Sequence, residues 1–226
     1  MAITGEGIYI GAAEVLEDIT YVTYLEAQLL RWVNDAQRAV CLVRPDAASK
    51  IQNVAIAANT ARQVLPANVA RLGGLLRNMG ADGLTGGRAI TGPTPREPMD
   101  ASDPLWMTRT GGYVRGYVYS EETPFDYYIY PVIASSWFLE AKLFLVPTDL
   151  AVKTNAISLS DMYAPAMREW LLYSCFARDS ERTPNYVRAG RHFSNFFQLL
   201  GVKTRADLAV SPKVLEFDQQ LQGNAR

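Results

Sequence analysis

The 226-residue chain predicts an α+β fold, a helical bundle formed by the N- and C-terminal segments with an antiparallel β-rich domain inserted between them. Three observations predict it. Apolar residues recur at helical spacing from Val22 to Val40 and again after Ser160. The segment between them carries short aromatic and branched runs with strict alternation. A single amphipathic helix cannot bury its stripe alone, so the first stretch needs the last as its partner.

The elements follow in order. A short helix is expected around Ala12 to Glu17. Thr23-Tyr24-Leu25-Glu26 reads as a capping box. Val22, Leu25, Leu29, Val33, Ala36 and Val40 then define the buried stripe, and Arg44-Pro45-Asp46 ends the helix because a residue before proline avoids the helical region. Ile51 to Ala57, Arg71 to Met79, Tyr113 to Tyr119, Tyr127 to Ile133 and Trp137 to Val146 are strand candidates. In the last, Trp137, Leu139, Ala141, Leu143 and Leu145 share one face, with Glu140 and Lys142 on the other. Gly80 to Pro98 is rich in glycine and proline and reads as a long mobile loop. Ser160 is placed to cap a helix running to about Arg178, with Met162, Met167, Leu171 and Cys175 along one side. Thr183-Pro184 starts another helix, and Gly201 is placed to close it. Ser211-Pro212 repeats the start signal for a last short helix holding Val214, Leu215, Phe217 and Leu221. The expected domains are residues 1–50 with 158–203, residues 51–157, and a C-terminal arm, 204–226.

Composition narrows the function. Hydrophobic residues at 49% and charged residues at 20% describe an ordinary globular chain. The net charge of -1 argues against a freestanding nucleic-acid binder. No apolar run reaches the roughly 20 residues of a membrane span, and the first ten residues lack a signal-peptide pattern, so the expected site of synthesis is the cytosol. Two cysteines and one histidine exclude a disulfide framework, a zinc cluster of ordinary spacing and a His-based catalytic pair. No catalytic residue, cofactor or metal is therefore assigned. His192 reads as a core or interface histidine. Asp161, Asp179 and Glu181 read as solvated helix-end charges. Residues 1–50 carry a net -3, residues 51–157 are neutral and residues 158–226 carry +2. Arg178, Arg182, Arg188 and Arg191 make the last helix pair locally basic. Arg182, Arg188 and Arg191 are candidates for a charge contact with the acidic N-terminal part of a neighbouring subunit.

A set of motifs then carries a resemblance. Leu29-Leu30-Arg31-Trp32-Val33-Asn34-Asp35-Ala36 is followed by Arg44-Pro45-Asp46, Leu65-Pro66, Arg77-Asn78, Pro104-Leu105-Trp106 and Tyr128-Ile129-Tyr130-Pro131. Helices from Tyr163 to Asp179 and from Asn185 to Gly201, the second with His192-Phe193 and Phe196, complete the series. In this order, from about Ala12 to Gly201, the chain resembles the head-to-tail adaptor proteins of short-tailed bacteriophages. Asn59-Thr60 stands where that family often has glycine.

The resemblance implies a structural virion protein and not an enzyme. It implies a ring, usually twelvefold, between portal protein and tail nozzle protein. Double-stranded DNA would pass through its channel without specific binding, and no membrane is involved. The protein would reside in the virion neck, and in host cytoplasm during assembly. The resemblance also suggests that the arm bearing Val214, Leu215, Phe217 and Leu221 clasps portal or an adjacent subunit; folding back on its own domain is the other expectation. Rival readings are another neck or tail completion ring protein, and a small phage-encoded enzyme or host-directed binding protein.

Overall fold

The computed structural model describes residues 3–179 and 183–209. Among these, five α-helices form: α1 (Gly5–Val15), α2 (Glu26–Val43), α3 (Arg96–Ser102), α4 (Ala164–Arg178) and α5 (Thr183–Ala209). The strands are β1 (Ser49–Ile56), β2 (Arg62–Val64), β3 (Val69–Asn78), β4 (Thr91–Thr94), β5 (Thr110–Gly111), β6 (Gly116–Tyr119), β7 (Asp126–Tyr130), β8 (Val132–Ile133) and β9 (Trp137–Leu145). The chain divides into two compact units, Met1–Ala47 with Pro147–Arg226, and Ala48–Val146. The fold is α+β, as expected from the sequence.

In the helical unit, α4 is the central element and packs against α1, α2 and α5. Its Met167, Leu171, Leu172 and Cys175 are buried, as are Leu29, Val33, Ala36 and Val40 of α2 and Ile8, Tyr9 and Ala12 of α1. Pro165 sits in the first turn of α4, where its missing N–H breaks no helical bond. α1 begins at Gly5, earlier than expected, with the Thr4 hydroxyl accepting from Gly7 N–H. Gly11 of α1 faces the Arg168 guanidinium of α4, whose Nε a Cβ there would approach to 2.7 Å. Two buried amides tie α2 to the chain returning from the β-rich unit. Asn34 Oδ1 accepts from Leu150 N–H at 2.9 Å, and Gln37 Oε1 accepts from Ser158 N–H at 2.8 Å. Arg44 does more than end α2. Its guanidinium donates to Asp46, and to Thr204 and Asp207 of α5 at 2.6 and 2.8 Å.

The capping box does not form. Thr23 makes no cap, Leu25 occupies the N-cap position, and Val22 and Leu25 are exposed. The carboxylate of buried Asp18 takes over the task by accepting from the backbone N–H groups of Val22, Thr23 and Tyr24. It thereby satisfies donors that would otherwise be orphaned just before α2. Three further expectations are corrected. Met162 is exposed, because it lies in a short 3-10 turn that Ser160 caps ahead of α4. Gly201 does not close α5, which keeps helical backbone there and runs on to Ala209. Asp161 and Asp179 are not merely solvated charges, since Asp161 accepts from Ile3 N–H and Asp179 from the Tyr24 hydroxyl.

In the β-rich unit, one sheet has the order β1-β9-β3, a second β2-β7-β6-β4, and β5 and β8 form a small third one. Their facing side chains, among them Val54, Leu72, Leu75, Leu139 and Leu143 from the first and Tyr117, Tyr127 and Ile129 from the second, share one core. β9 alternates as expected, with Leu139, Ala141 and Leu143 buried. The unit is not purely antiparallel, for β4 pairs with β6 and β5 with β8 in parallel. Nor is Gly80 to Pro98 a featureless loop. Ile90 is buried, Ala89 bridges to Arg77, and Thr91–Thr94 forms β4. Gly92 adopts φ +141 against Tyr117, where a Cβ would meet ring and backbone at 2.8 Å, so glycine is what admits the strand. Asn78 locks this region from inside. It donates to the carbonyls of Arg88 and Val114, and its oxygen accepts from Val114 N–H and Trp137 Nε1.

Burial disfavours ionisation of Asp18, but its three N–H donors outweigh that and hold its pKa below the ordinary aspartate value. The folded pKa is thus below the unfolded one. Its contribution to stability is complete above about pH 4 and is lost as pH falls through the folded value. Asp18→Ala should cost about 1–3 kcal/mol at pH 7, read by denaturant unfolding. The gap between wild type and Asp18→Asn should narrow as pH drops below about 4.

Candidate interaction surface

α4 and α5 form a helical hairpin whose two sides differ in chemistry. Ala189, Phe196 and Leu200 of α5 are buried. On one side of this seam lies an aromatic cluster. Trp170 contacts Tyr173, Phe193 and Phe196 with ring centroids 5.0–6.3 Å apart, and Phe197 packs edge-on against Phe193 and Phe196. Tyr173, Ala177, Tyr186, Val187, Gly190 and Phe193 line an open groove of about 360 Å³ there. Tyr186 is 70% exposed, and Val187, Phe193 and Phe197 are exposed as well. Helical spacing places Tyr186, Gly190, Phe193 and Phe197 on one stripe. Val187, Ser194, Gln198 and Gly201 flank it, so this face of α5 carries no charge between Tyr186 and Gly201.

The opposite side is polar. His192 Nδ1 lies 2.8 Å from Glu169 Oε2, and Asn195 donates to the same oxygen at 3.1 Å. The imidazole stacks on Phe176 with an interplanar angle of 8°, and the Arg188 guanidinium lies 5.7 Å from the Phe176 ring centroid. His192 is therefore a helix-joining residue. Arg188 and Arg191 line a hollow of about 670 Å³ together with Val15, Leu16 and Glu17. Neither arginine has a carboxylate within ion-pairing distance among the described residues.

A third feature is the connection from α1 to α2. Residues 19–25 (Ile-Thr-Tyr-Val-Thr-Tyr-Leu) carry no charge. Asp18 pins this loop, Tyr21 packs edge-on against Tyr9, and Tyr24 donates to Asp179 and Cys175 at the end of α4. Burial, ahead of the Asp179 hydrogen bond, holds the Tyr24 hydroxyl well above the ordinary tyrosine pKa. Yet Ile19, Val22 and Leu25 project outward, Val22 at 78% exposure. The loop is ordered by its polar bonds while its apolar side chains meet solvent.

Of the residues singled out from sequence, Arg188 and Arg191 stand on the polar side of the hairpin. Arg182, Val214, Leu215, Phe217 and Leu221 lie outside the described residues. The charge-free face of α5 and the exposed 19–25 loop were not anticipated. The signal was present, since Tyr186, Phe193 and Phe197 recur at helical spacing without an adjoining charge. Cys175 is buried, which pushes its thiol pKa up to about 12; Cys41, also desolvated, is pushed up to about 11. Among the described residues, no group of three or more His, Cys, Asp or Glu is placed to hold a metal ion. No described helix is long and apolar enough to cross a membrane.

The family model described as SU10 adaptor protein matches residues 10–215, most of the helical unit and all of the β-rich one. No curated protein matches the chain significantly.

Glu169 is the shared acceptor that joins α4 to α5. Glu169→Ala leaves His192 and Asn195 without a partner and should lower stability by about 1–2 kcal/mol, with Glu169→Gln intermediate. Thermal unfolding of the three proteins checks the order.

Proposed function

The chain belongs to the SU10 adaptor protein family, and we propose that it is the subunit of a ring joining the phage portal to the tail nozzle. The observation that carries this reading is the extent of the family match, residues 10–215, across both the helical and the β-rich unit. A phage adaptor protein is a structural component, so the role is one of binding and geometry and not of catalysis. The ring is taken as twelvefold and encloses part of the channel through which double-stranded DNA leaves the head. Exposed aromatic and aliphatic side chains on an ordered scaffold support such a role, because they are the groups that fill protein interfaces.

The C-terminal arm is assigned to portal or the adjacent subunit, with Val214, Leu215, Phe217 and Leu221 as its apolar contacts. Apolar side chains buried at such a contact contribute about 1.5–3 kcal/mol each before ordering costs. Arg182, Arg188 and Arg191 are assigned to the charge contact between subunits.

Two experiments follow. Purified full-length chain mixed with portal rings should co-sediment with them in a gradient. A chain ending at Val210 should remain folded by circular dichroism yet co-sediment poorly, and undiminished co-sedimentation would assign the arm to its own domain. DNA must also pass the channel without being held. A net charge of -1 per subunit supplies no dense basic lining, so the assembled ring should bind duplex DNA only weakly at physiological salt. Tight binding in a filter assay under those conditions contradicts the channel assignment.

A further inference from the structure

An edge strand presents a row of backbone N–H and C=O groups whose geometry fits another extended chain. In the β-rich unit β1 is such an edge, paired with β9 alone. Phe138 of β9 donates its N–H to Gly80 O and accepts from Met79 N–H, so its backbone groups turn toward the β3 side. By alternation Leu139, Ala141 and Leu143 turn theirs toward β1, onto Val54, Gln52 and Lys50. Ile51, Asn53 and Ala55 therefore point their backbone groups away from the sheet, and no backbone hydrogen bond from another described residue reaches them. We propose that this edge of β1 takes an extended, acidic segment of another protein of the phage particle as an added strand. The proposal goes beyond the ring reading and does not depend on it.

The other edges of the unit are closed by the devices that prevent such pairing. β3 has three register shifts against β9, the Tyr119 hydroxyl accepts from Leu72 N–H, and residues 87–90 bond along its end. β4 contains Pro93 and runs into Pro95. β2 is three residues long, and β5 and β8 are two each. β1 itself is closed at one point. Buried Gln63 accepts from Ala57 N–H through Oε1 at 2.7 Å and donates through Nε2 to Ala57 O at 3.0 Å. Ala57 is the next outward position, so the chain seals the edge there and leaves it open from Ile51 to Ala55. That stretch lies within eight consecutive unbulged pairs with β9 and holds no proline, and Ile51, Asn53 and Ala55 are exposed.

Charge and symmetry select the occupant. Lys50 adjoins Ile51 in the strand, and Lys142 is the partner of Ile51 on β9. Neither lysine has a carboxylate within ion-pairing distance among the described residues, and Glu140, on the same face as Lys142, is held by Arg77. An added strand bearing Asp or Glu beside this end meets both lysines. A second copy offers no long open edge among its described residues except its own β1, and β1 against β1 is a two-fold contact that stops at a dimer. The C-terminal arm opens on the helix-start signal Ser211-Pro212. The added strand is therefore assigned to a different protein, held by main-chain bonds.

Hydrogen exchange of the full-length chain, free and in purified phage particles, supplies the first test. In the free chain the Ile51, Asn53 and Ala55 amides should exchange at least about tenfold faster than those of Gln52 and Val54, and in the particle they should slow to the same range. Slow exchange at all five in the free chain means that the chain covers its own edge, and unchanged fast exchange in the particle means that nothing does; either overturns the proposal. p-Benzoylphenylalanine in place of Ile51 then identifies the source. Irradiated particles should give a cross-link to another protein, at a segment holding Asp or Glu. Attachment to residues 210–226, to β1 of a second copy or to a segment without a carboxylate overturns the proposal, and so does the absence of a cross-link. Combined with that label, Ala55→Pro removes one outward N–H and no bond to β9, and should lose most of the cross-link; undiminished yield contradicts strand addition. The exchange measurement needs no substitution and decides even where this variant folds poorly. Portal co-sedimentation separates the claims. A chain that joins portal while its β1 edge stays open in the particle keeps the adaptor reading and loses this contact. A chain that fails to join portal while another particle protein covers β1 has the reverse outcome.

Discussion

The helical unit depends on α4 being covered from two sides by segments far away in sequence. Met167, Leu171 and Cys175 are buried, and α1 and α2, more than 120 residues upstream, supply the cover. α5 seals the other flank. Removing any one of these helices would expose an apolar stripe that the rest cannot hide. This long-range closure explains why the buried polar groups lie where they do. Asn34 and Gln37 meet the chain at Leu150 and Ser158 as it returns, and Arg44 reaches Thr204 and Asp207. Each of these bonds joins residues at least 116 positions apart. They fix the order in which the ends of the chain meet, while burial supplies the main driving force.

The helices and the long strands were legible because their apolar spacing is strong. Leu29, Val33, Ala36 and Val40 are the buried stripe of α2, and β9 alternates as its sequence alternates. What was misread depended on local chemistry that spacing does not report. The Thr23 capping box was plausible, yet the Asp18 carboxylate, five residues earlier, claims the Thr23 N–H that Glu26 would have bound in such a box. Gly80 to Pro98 looked incapable of order. The strand it contains is built on one glycine at positive φ and on bonds made by Asn78, a residue outside that segment. Gly201 looked like a helix stop, but the Arg44 contacts to Thr204 and Asp207 hold the following turns of α5.

The interaction surface was less legible than the fold. Arg188 and Arg191 were visible as a basic run, and the hairpin does carry them on its polar side. In the aromatic stripe Phe196 is buried, whereas Tyr186, Phe193 and Phe197 remain exposed. Spacing distinguishes a stripe from a scatter; it does not reveal how much of the stripe α4 covers. A loop such as residues 19–25 is harder still. Its apolar residues look like core, and only the three-dimensional arrangement shows that its polar bonds face inward while Ile19, Val22 and Leu25 face outward.

These features suit a subunit that must hold its shape while neighbours bind it on several sides. The apolar groups left outside are carried on helices and on a pinned loop, so their positions are set before any partner arrives. The adaptor assignment is tested most directly by electron cryomicroscopy of intact phage necks. The account predicts a closed ring of this chain between portal and tail nozzle, with the helical and the β-rich unit both fitted into its density. A neck whose ring between portal and nozzle is built from another protein would contradict it.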